Sequence, residues 1–502
     1  MQKRIRILAI FMVGLLGIVL LQALNIQFFK SNELANSSGN PRIANALRNE
    51  PRGEILGADG TVLALSVPSK SGSLRYQRQY PLGPLFSQEV GFNSQVYGAY
   101  GLEASYNSYL TVHPQPAHSL AQLLSPVKEP DSLTLTLIPS LQKLAATQLA
   151  GRDGAVVMIN PNTGGIMAMY SNPTYDPNGL VAPSVTLEEA AWKAAIKKNT
   201  NGYPPLTSMA YQEAFPPGST FKVVTSSAVF GLKPRLASKS YPVASTISLP
   251  DTNKTLSNFG GSSCGGTIEI MLPPSCDTGF AEVGLDLGPS LLWQQASSFG
   301  FDTYIPVDLP HGSVAVSNFP TPAQEVNRKP FVAYSAIGQG DVRATALQNA
   351  LVAAGIANKG AIMTPHFLRA VRNSSGGLIK SYQPSLWKRA TDSKTAASVS
   401  QMMQNVALYG TAAGLFPPED KVAAKTGTAQ TSSSNVNLQT DDWMIAFAPA
   451  DAPRFAVAVI LPNQALSGTG AAVAGPVMRC MVLGAMAIIK GQPAQGTSST
   501  CP

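Results

Sequence analysis

Two pairs of short β-rich runs, one at each end of a long helical stretch, constrain this chain more than any other feature. Ala155 to Ile159 and Ile166 to Tyr170 flank the turn Asn160-Pro161-Asn162-Thr163-Gly164-Gly165, as the two strands of a hairpin do. Far downstream, Trp443 to Ala448 and Phe455 to Leu461 repeat the pattern around a Pro/Asp/Ala turn, and Ala471 to Ile489 follows as an apolar helix. Helical sequence dominates between them. Strands at both ends with helices between predict an antiparallel sheet whose first and last strands meet, an α+β arrangement.

At 502 residues the chain exceeds one ordinary core. Residues 30–150 are polar, rich in Asn, Ser, Pro and Tyr, and read as a separate module. Near its start Arg52-Gly53-Glu54-Ile55-Leu56 and Thr61-Val62-Leu63-Ala64 surround a Gly/Asp turn, the pattern of a hairpin; Gly101-Leu102-Glu103 lies further on. Taken alone, both strings are ordinary turn and strand chemistry. Leu133 to Leu149 reads as a strand followed by a helix, leading into a second domain at 151–490, and a Ser/Thr/Gln-rich tail occupies 491–502.

Residues 1–29 say where the protein lives. Lys3, Arg4 and Arg6 precede Ile7 to Leu21, a run without a polar side chain, and the apolar character continues through Ala23, Leu24 and Ile26. The length is near the lower limit for a spanning helix, and the preceding positive charges favour a cytoplasmic N-terminus with the remainder exported. A cleaved signal peptide is the alternative, but no small-x-small site follows the run directly, which favours a retained anchor. Either way the body of the protein is expected outside the cytoplasmic membrane. The four cysteines fit that compartment: Cys264 and Cys276 flank a Gly-rich segment and are expected to pair, with Cys480 and Cys501 as a second candidate pair.

Composition narrows the chemistry. A net charge of +8 suits an anionic envelope, nucleic acid or anionic lipid, or is simply a solvated basic surface. No long Lys/Arg run and no basic helix with interleaved aromatics occurs, which argues against nucleic acid. With four histidines, no Cys-x-x-Cys and no His-Glu-x-x-His, no metal or cofactor is expected.

Three short strings carry chemistry. In Phe215-Pro216-Pro217-Gly218-Ser219-Thr220-Phe221-Lys222 the prolines and glycine stop the preceding chain, and the apolar spacing that follows puts Ser219 at a helix N-terminus. Ser219 and Lys222 then share one face, where an amine can take the hydroxyl proton while backbone N–H groups hold an oxyanion. Lys425-Thr426-Gly427-Thr428 reads as a strand edge that a ligand approaches closely, suited to a substrate carboxylate. Between them lies Ser275-Cys276-Asp277. Each string alone is weak, since Ser125 to Lys128, Ser385 to Lys388 and Lys70-Ser71-Gly72 imitate two of them. A lone Ser-x-x-Lys is more often an N-cap serine with a surface lysine.

In this order the three strings are characteristic of penicillin-binding proteins and serine β-lactamases, and the chain resembles the class B penicillin-binding proteins. Arg52 to Ile55 and Gly101 to Glu103 look like that family's pedestal motifs, and Gly338-Gln339-Gly340 followed by Thr345 to Asn349 is similar to its Gly-Gln-Gly helix entry. The stretch before residue 150 is too short for the glycosyltransferase module of class A. The resemblance implies an antiparallel five-stranded sheet flanked by helices, an all-helical subdomain and a mostly β, extended pedestal.

It also implies roles. Ser219 would attack the penultimate D-Ala of a stem peptide, with Lys222 as its base. Ser275 would relay protons to the leaving amine, with Lys425 holding that relay electrostatically. Thr426 and Thr428, around Gly427, would bind the terminal carboxylate, and the N–H groups of Ser219 and Thr428 would form the oxyanion hole. A second peptide's amine would resolve the acyl-enzyme, and β-lactams would trap it. A membrane glycosyltransferase is the implied partner.

Asp277 departs from the family, whose second motif usually ends in Asn; a carboxylate only accepts hydrogen bonds and should raise the Lys222 pKa. A changed proton inventory, altered β-lactam susceptibility or a weakened enzyme are the three consequences open, the first favoured. Two other functions remain as alternatives: a membrane-tethered class D-like β-lactamase or D,D-carboxypeptidase, and a non-catalytic scaffold of wall assembly.

Overall fold

The computed structural model describes residues 2–25, 49–69, 75–114, 128–431 and 439–492. Cys501 and most of the C-terminal tail lie outside them, as do Ser125 and the Lys70-Ser71-Gly72 string.

Two large sheets organise the chain. Strands β1 (Ile55–Leu56), β2 (Val62–Pro68), β3 (Tyr76–Gln79) and β4 (Ser132–Leu135) come from the N-terminal region. Next come β5 (Gly154–Ile159), β6 (Ile166–Asn172), β7 (Leu368–Arg372), β8 (Leu378–Ser381), β9 (Ala423–Thr431), β10 (Gln439–Ala448) and β11 (Phe455–Ala465). One sheet runs β6-β5-β11-β10-β9, antiparallel throughout. The last strand in sequence, β11, pairs with the first, β5, as the two terminal hairpins predict. The second sheet runs β8-β7-β4-β1-β2-β3, so a hairpin from residues 368–381 completes the N-terminal module.

The helices follow from what those strands expose. α1 (Gln2–Leu24) stands apart; α2 (Pro139–Gln148), α5 (Ala346–Ala357), α6 (Ser393–Leu408) and α7 (Gly470–Ile489) pack on the five-stranded sheet, while α3 (Lys222–Leu232) and α4 (Asp277–Leu287) pack on each other. Every residue of β5 is buried, and β10 is buried from Thr440 to Ala448. Such strands read as continuous apolar runs because both faces are covered. α5 lies on one face, its residues all buried, while α2 and α7 pack together on the other. α6 flanks the edge strand β9. α7 is apolar enough to cross a membrane, but over half of its apolar window is buried against β10 and β11, so it is a core helix. α1, with a mean hydropathy of 2.7 and no burial, is a candidate membrane span.

The pedestal strings acquire a reason. Arg52 Nε and Arg78 Nε approach the two oxygens of Glu103 at 2.5 and 2.6 Å, with all three side chains buried. Burial pushes the Glu103 carboxyl up, but Arg78 and Arg52 outweigh it and hold it below the usual range. The Arg52-Gly53 and Leu102-Glu103 strings are thus two halves of one buried ion cluster that joins β1, β3 and the turn after Gly101.

Candidate active site

Pro217 ends an irregular segment, and Gly218–Phe221 forms a single 3₁₀ turn that runs into α3 at Lys222. The turn needs its glycine. Gly218 has φ +53°, and its N–H donates to the Gly338 carbonyl at 2.9 Å. A side-chain carbon on Gly338 would sit 2.2 Å from the Gly218 carbonyl oxygen, and one on Gly218 would sit 3.0 Å from the Thr428 backbone. The Pro-Pro-Gly and Gly-Gln-Gly strings therefore meet, and the approach sets Ser219 beside β9.

The Lys222 side chain has no solvent exposure. Its amine donates to the Ser275 carbonyl at 2.7 Å and to Asp277 Oδ1 at 2.7 Å, with Ser275 Oγ at 3.4 Å. Lys425, equally buried, donates to Ser275 Oγ at 2.8 Å and to the Thr426 carbonyl at 2.8 Å. Ser275 thus bridges the two amines. It can do so because its backbone is left-handed, φ +61°, which aims the carbonyl at Lys222 while the hydroxyl faces Lys425. The next residue, Cys276, forms the expected disulfide with Cys264. Thr278, the second residue of α4, donates its backbone N–H to the Asn258 side chain.

Ser219 Oγ lies 3.4 Å from Asp277 Oδ1, to which it donates. Among the described residues Ser219 and Lys222 make no direct hydrogen bond; Asp277 Oδ1 stands between them. Electrostatics favours proton traffic here. Burial lowers the Lys222 pKa, and the Asp277 charge opposes that fall. Burial takes Lys425 well below the normal lysine range, the Lys222 charge adds to the shift and Asp277 opposes it. Two amines this close and this dry are poorly matched to carrying two charges, so the pair is suited to holding a mobile proton.

Ser219, Ser275 and Asp277 line a cleft of about 650 Å³ together with Thr426, Gly427 and Thr428, with Lys222 and Lys425 buried beneath its floor. Thr426 Oγ1 is 2.6 Å from Thr411 Oγ1, and Thr428 Oγ1 accepts the Gly470 N–H at 2.9 Å. The threonine hydroxyls are accordingly held from behind by partners the sequence does not flag. The cleft also draws on Asn258, Phe259, Tyr334, Gln339, Thr411 and Thr469. Apart from Gln339, which belongs to the Gly338-Gln339-Gly340 string, none lies at a spacing that marks it; they arrive by tertiary folding alone. Ser385 and Lys388 are elsewhere, the latter 3.4 Å from Thr303 Oγ1. Of the disulfide candidates, Cys480 is buried in α7, while its pairing with Cys501 falls outside the described residues.

Known proteins share this arrangement. Residues 154–482 match the family described as penicillin binding protein transpeptidase domain, and residues 52–127 match the penicillin binding protein A dimerisation domain. The peptidoglycan D,D-transpeptidase PbpA of Mycolicibacterium smegmatis is 33% identical, covering 97% of this chain and 99% of the relative. The peptidoglycan D,D-transpeptidase MrdA of Escherichia coli K12 is 28% identical, over 80% of this chain and 70% of the relative. Among solved structures, penicillin-binding protein A from M. tuberculosis as a ceftriaxone acyl-enzyme complex superposes with TM-score 0.77, at 30% identity, covering 87% of this chain and 98% of that one.

Proposed function

This chain belongs to the class B penicillin-binding proteins, and on that premise we propose how its cleft serves a peptidoglycan D,D-transpeptidase that β-lactams acylate. The observation that carries the reading is the convergence of Ser219, Lys222, Ser275, Asp277 and Lys425, from three distant parts of the chain, on one hydrogen-bonded cluster at the floor of the cleft.

Ser219 Oγ attacks the carbonyl of the penultimate D-Ala. Its proton leaves through the Lys222–Asp277 pair, with which it is already in contact. The N–H groups of Ser219 and Thr428, whose backbones lie side by side, receive the oxyanion. Ser275, poised between the two amines, passes a proton to the leaving D-Ala nitrogen. Lys425 fixes Ser275 electrostatically, and Thr426 and Thr428 take the terminal carboxylate at the mouth of β9. The amine of a second stem peptide then reverses the sequence and forms the cross-link.

The same reading places the cleft outside the cytoplasmic membrane, with α1 as its anchor. Lys3, Arg4 and Arg6 ahead of the apolar run and the Cys264–Cys276 disulfide support that orientation. A membrane glycosyltransferase is the fitting partner, since cross-linking consumes glycan strands made at the membrane surface.

The test is a peptide ending in D-Ala-D-Ala supplied with a D-amino acid acceptor. Release of D-Ala with incorporation of the acceptor is expected; release with water as the only acceptor would make the chain a carboxypeptidase, and no release would remove the assignment.

A further inference from the structure

Asp442 is a carboxylate the mechanism above does not use. It lies on β10 directly opposite Thr428 of β9, so the two side chains share a face. It has no solvent exposure. Among the described residues its Oδ1 has no hydrogen-bond partner, and Oδ2 receives a long 3.5 Å contact from Thr440 Oγ1. The turn between β11 and α7 closes over it: a side-chain carbon on Gly468 would sit 2.7 Å from Oδ2. A buried carboxylate with a free oxygen and no cation is an unusual neighbour for a hydroxyl that receives a substrate.

We infer that Asp442 is a positioning residue whose protonation state sets where the Thr428 hydroxyl points, and with it how strongly the cleft recognises a terminal carboxylate. The inference rests on the reading that Thr428 receives that carboxylate. A hydroxyl has one proton and two lone pairs. The Gly470 N–H occupies one lone pair of Thr428 Oγ1. When Asp442 is ionised, the Thr428 proton is drawn to it, and the cleft is offered only a lone pair, which repels a carboxylate. When Asp442 is protonated, it donates into the second lone pair, and the Thr428 proton turns to the cleft. A bound carboxylate favours the protonated form by like-charge repulsion, so binding takes up a proton.

The surroundings allow this switch within a useful pH range. Burial pushes the Asp442 carboxyl up to about 6, and the adjacent Asp441 adds to the rise, while the neighbouring Thr428 and Thr440 hydroxyls oppose it. Asp441 is itself raised by burial to about 6, with Arg343 opposing. The residues set against Asp442 from the other elements, Leu461 on β11 and Gly468 in the turn before α7, are uncharged, and Arg479 lies more than two turns into α7.

The experiment compares acylation of the full chain by benzylpenicillin and by its carboxyl methyl ester, from about pH 5 to 8. Lys222, Ser275 and Asp277 act on both compounds, so their titration cancels in the ratio of the two rate constants. The preference for the free carboxylate is expected to fall about tenfold as pH rises, the worth of one hydrogen bond to a charged group. In Asp442→Asn, whose amide donates at every pH, the preference stays high and flat. In Thr428→Val it is low and flat. A pH-independent ratio in the wild type would overturn the inference. So would a fall retained in Asp442→Asn or Thr428→Val, which would assign the titration to Lys425. Absence of acylation by either compound at any pH would instead overturn the enzymatic reading on which the inference stands.

Discussion

Replacing Lys222 with alanine slows acylation by penicillin roughly 10²–10⁴-fold, the usual worth of a positioned proton acceptor. The amine is held by the Ser275 carbonyl and Asp277, and burial keeps its pKa below that of a free lysine. Removing it leaves Asp277 as the group in contact with Ser219 Oγ. A carboxylate is a weaker base than an amine and a poor match for a serine hydroxyl, so residual activity is expected to be small. The measurement is the rate of labelled-penicillin incorporation, with the unfolding midpoint followed in parallel to separate lost chemistry from lost fold. A variant within threefold of the wild type would hand the proton to Asp277 and demote the lysine.

Exchanging Asp277 for Asn changes the pH dependence more than the fold. The carboxylate opposes the burial-driven fall in the Lys222 pKa. Without it the amine loses its proton more readily, and the neutral base survives to lower pH. The acid limb of the acylation profile should therefore move down, by about 1 to 3 pH units, the range spanned by a close opposite charge. The sign matters: a shift to higher pH would mean that the carboxylate, rather than the amine, is the group whose deprotonation the rate follows. Identical profiles would leave the Asp in this motif without a special role. The rate at the plateau is expected to change less, because Asn keeps a hydrogen-bond acceptor toward Lys222 and Ser219.

The two outer hairpins are legible in the sequence because their strands are covered on both faces and read as apolar runs, with Asn160 to Gly165 as the turn between β5 and β6. Their closure into one sheet is legible too, since β5 and β11 are what remain to pair once the hairpins form. The recruitment of β7 and β8 into the N-terminal sheet is not: pairing between distant segments leaves no local period to read. The Arg52–Glu103 pair hides for the same reason, its partners being 51 positions apart in the chain.

The catalytic strings survive as sequence signals because each is a short piece of special backbone. Gly218 and Ser275 both sit at positive φ, where the choice of neighbours is narrow. Thr411, Asn258, Gly470 and Asp442 act on that core from loops, a helix start and a strand whose local sequence is unremarkable, so only the fold discloses them. Asp277 was visible as a departure from pattern; that it would stand between Ser219 and Lys222 was not.

The central claim is that the hydroxyl of Ser219 is the atom that becomes acylated. Mass spectrometry of the protein after exposure to penicillin, followed by peptide mapping, reads this directly. The account predicts a single penicilloyl adduct on the peptide containing Ser219, absent from Ser219→Ala. An adduct on Ser275 or on another serine, or one that persists in Ser219→Ala, would contradict it.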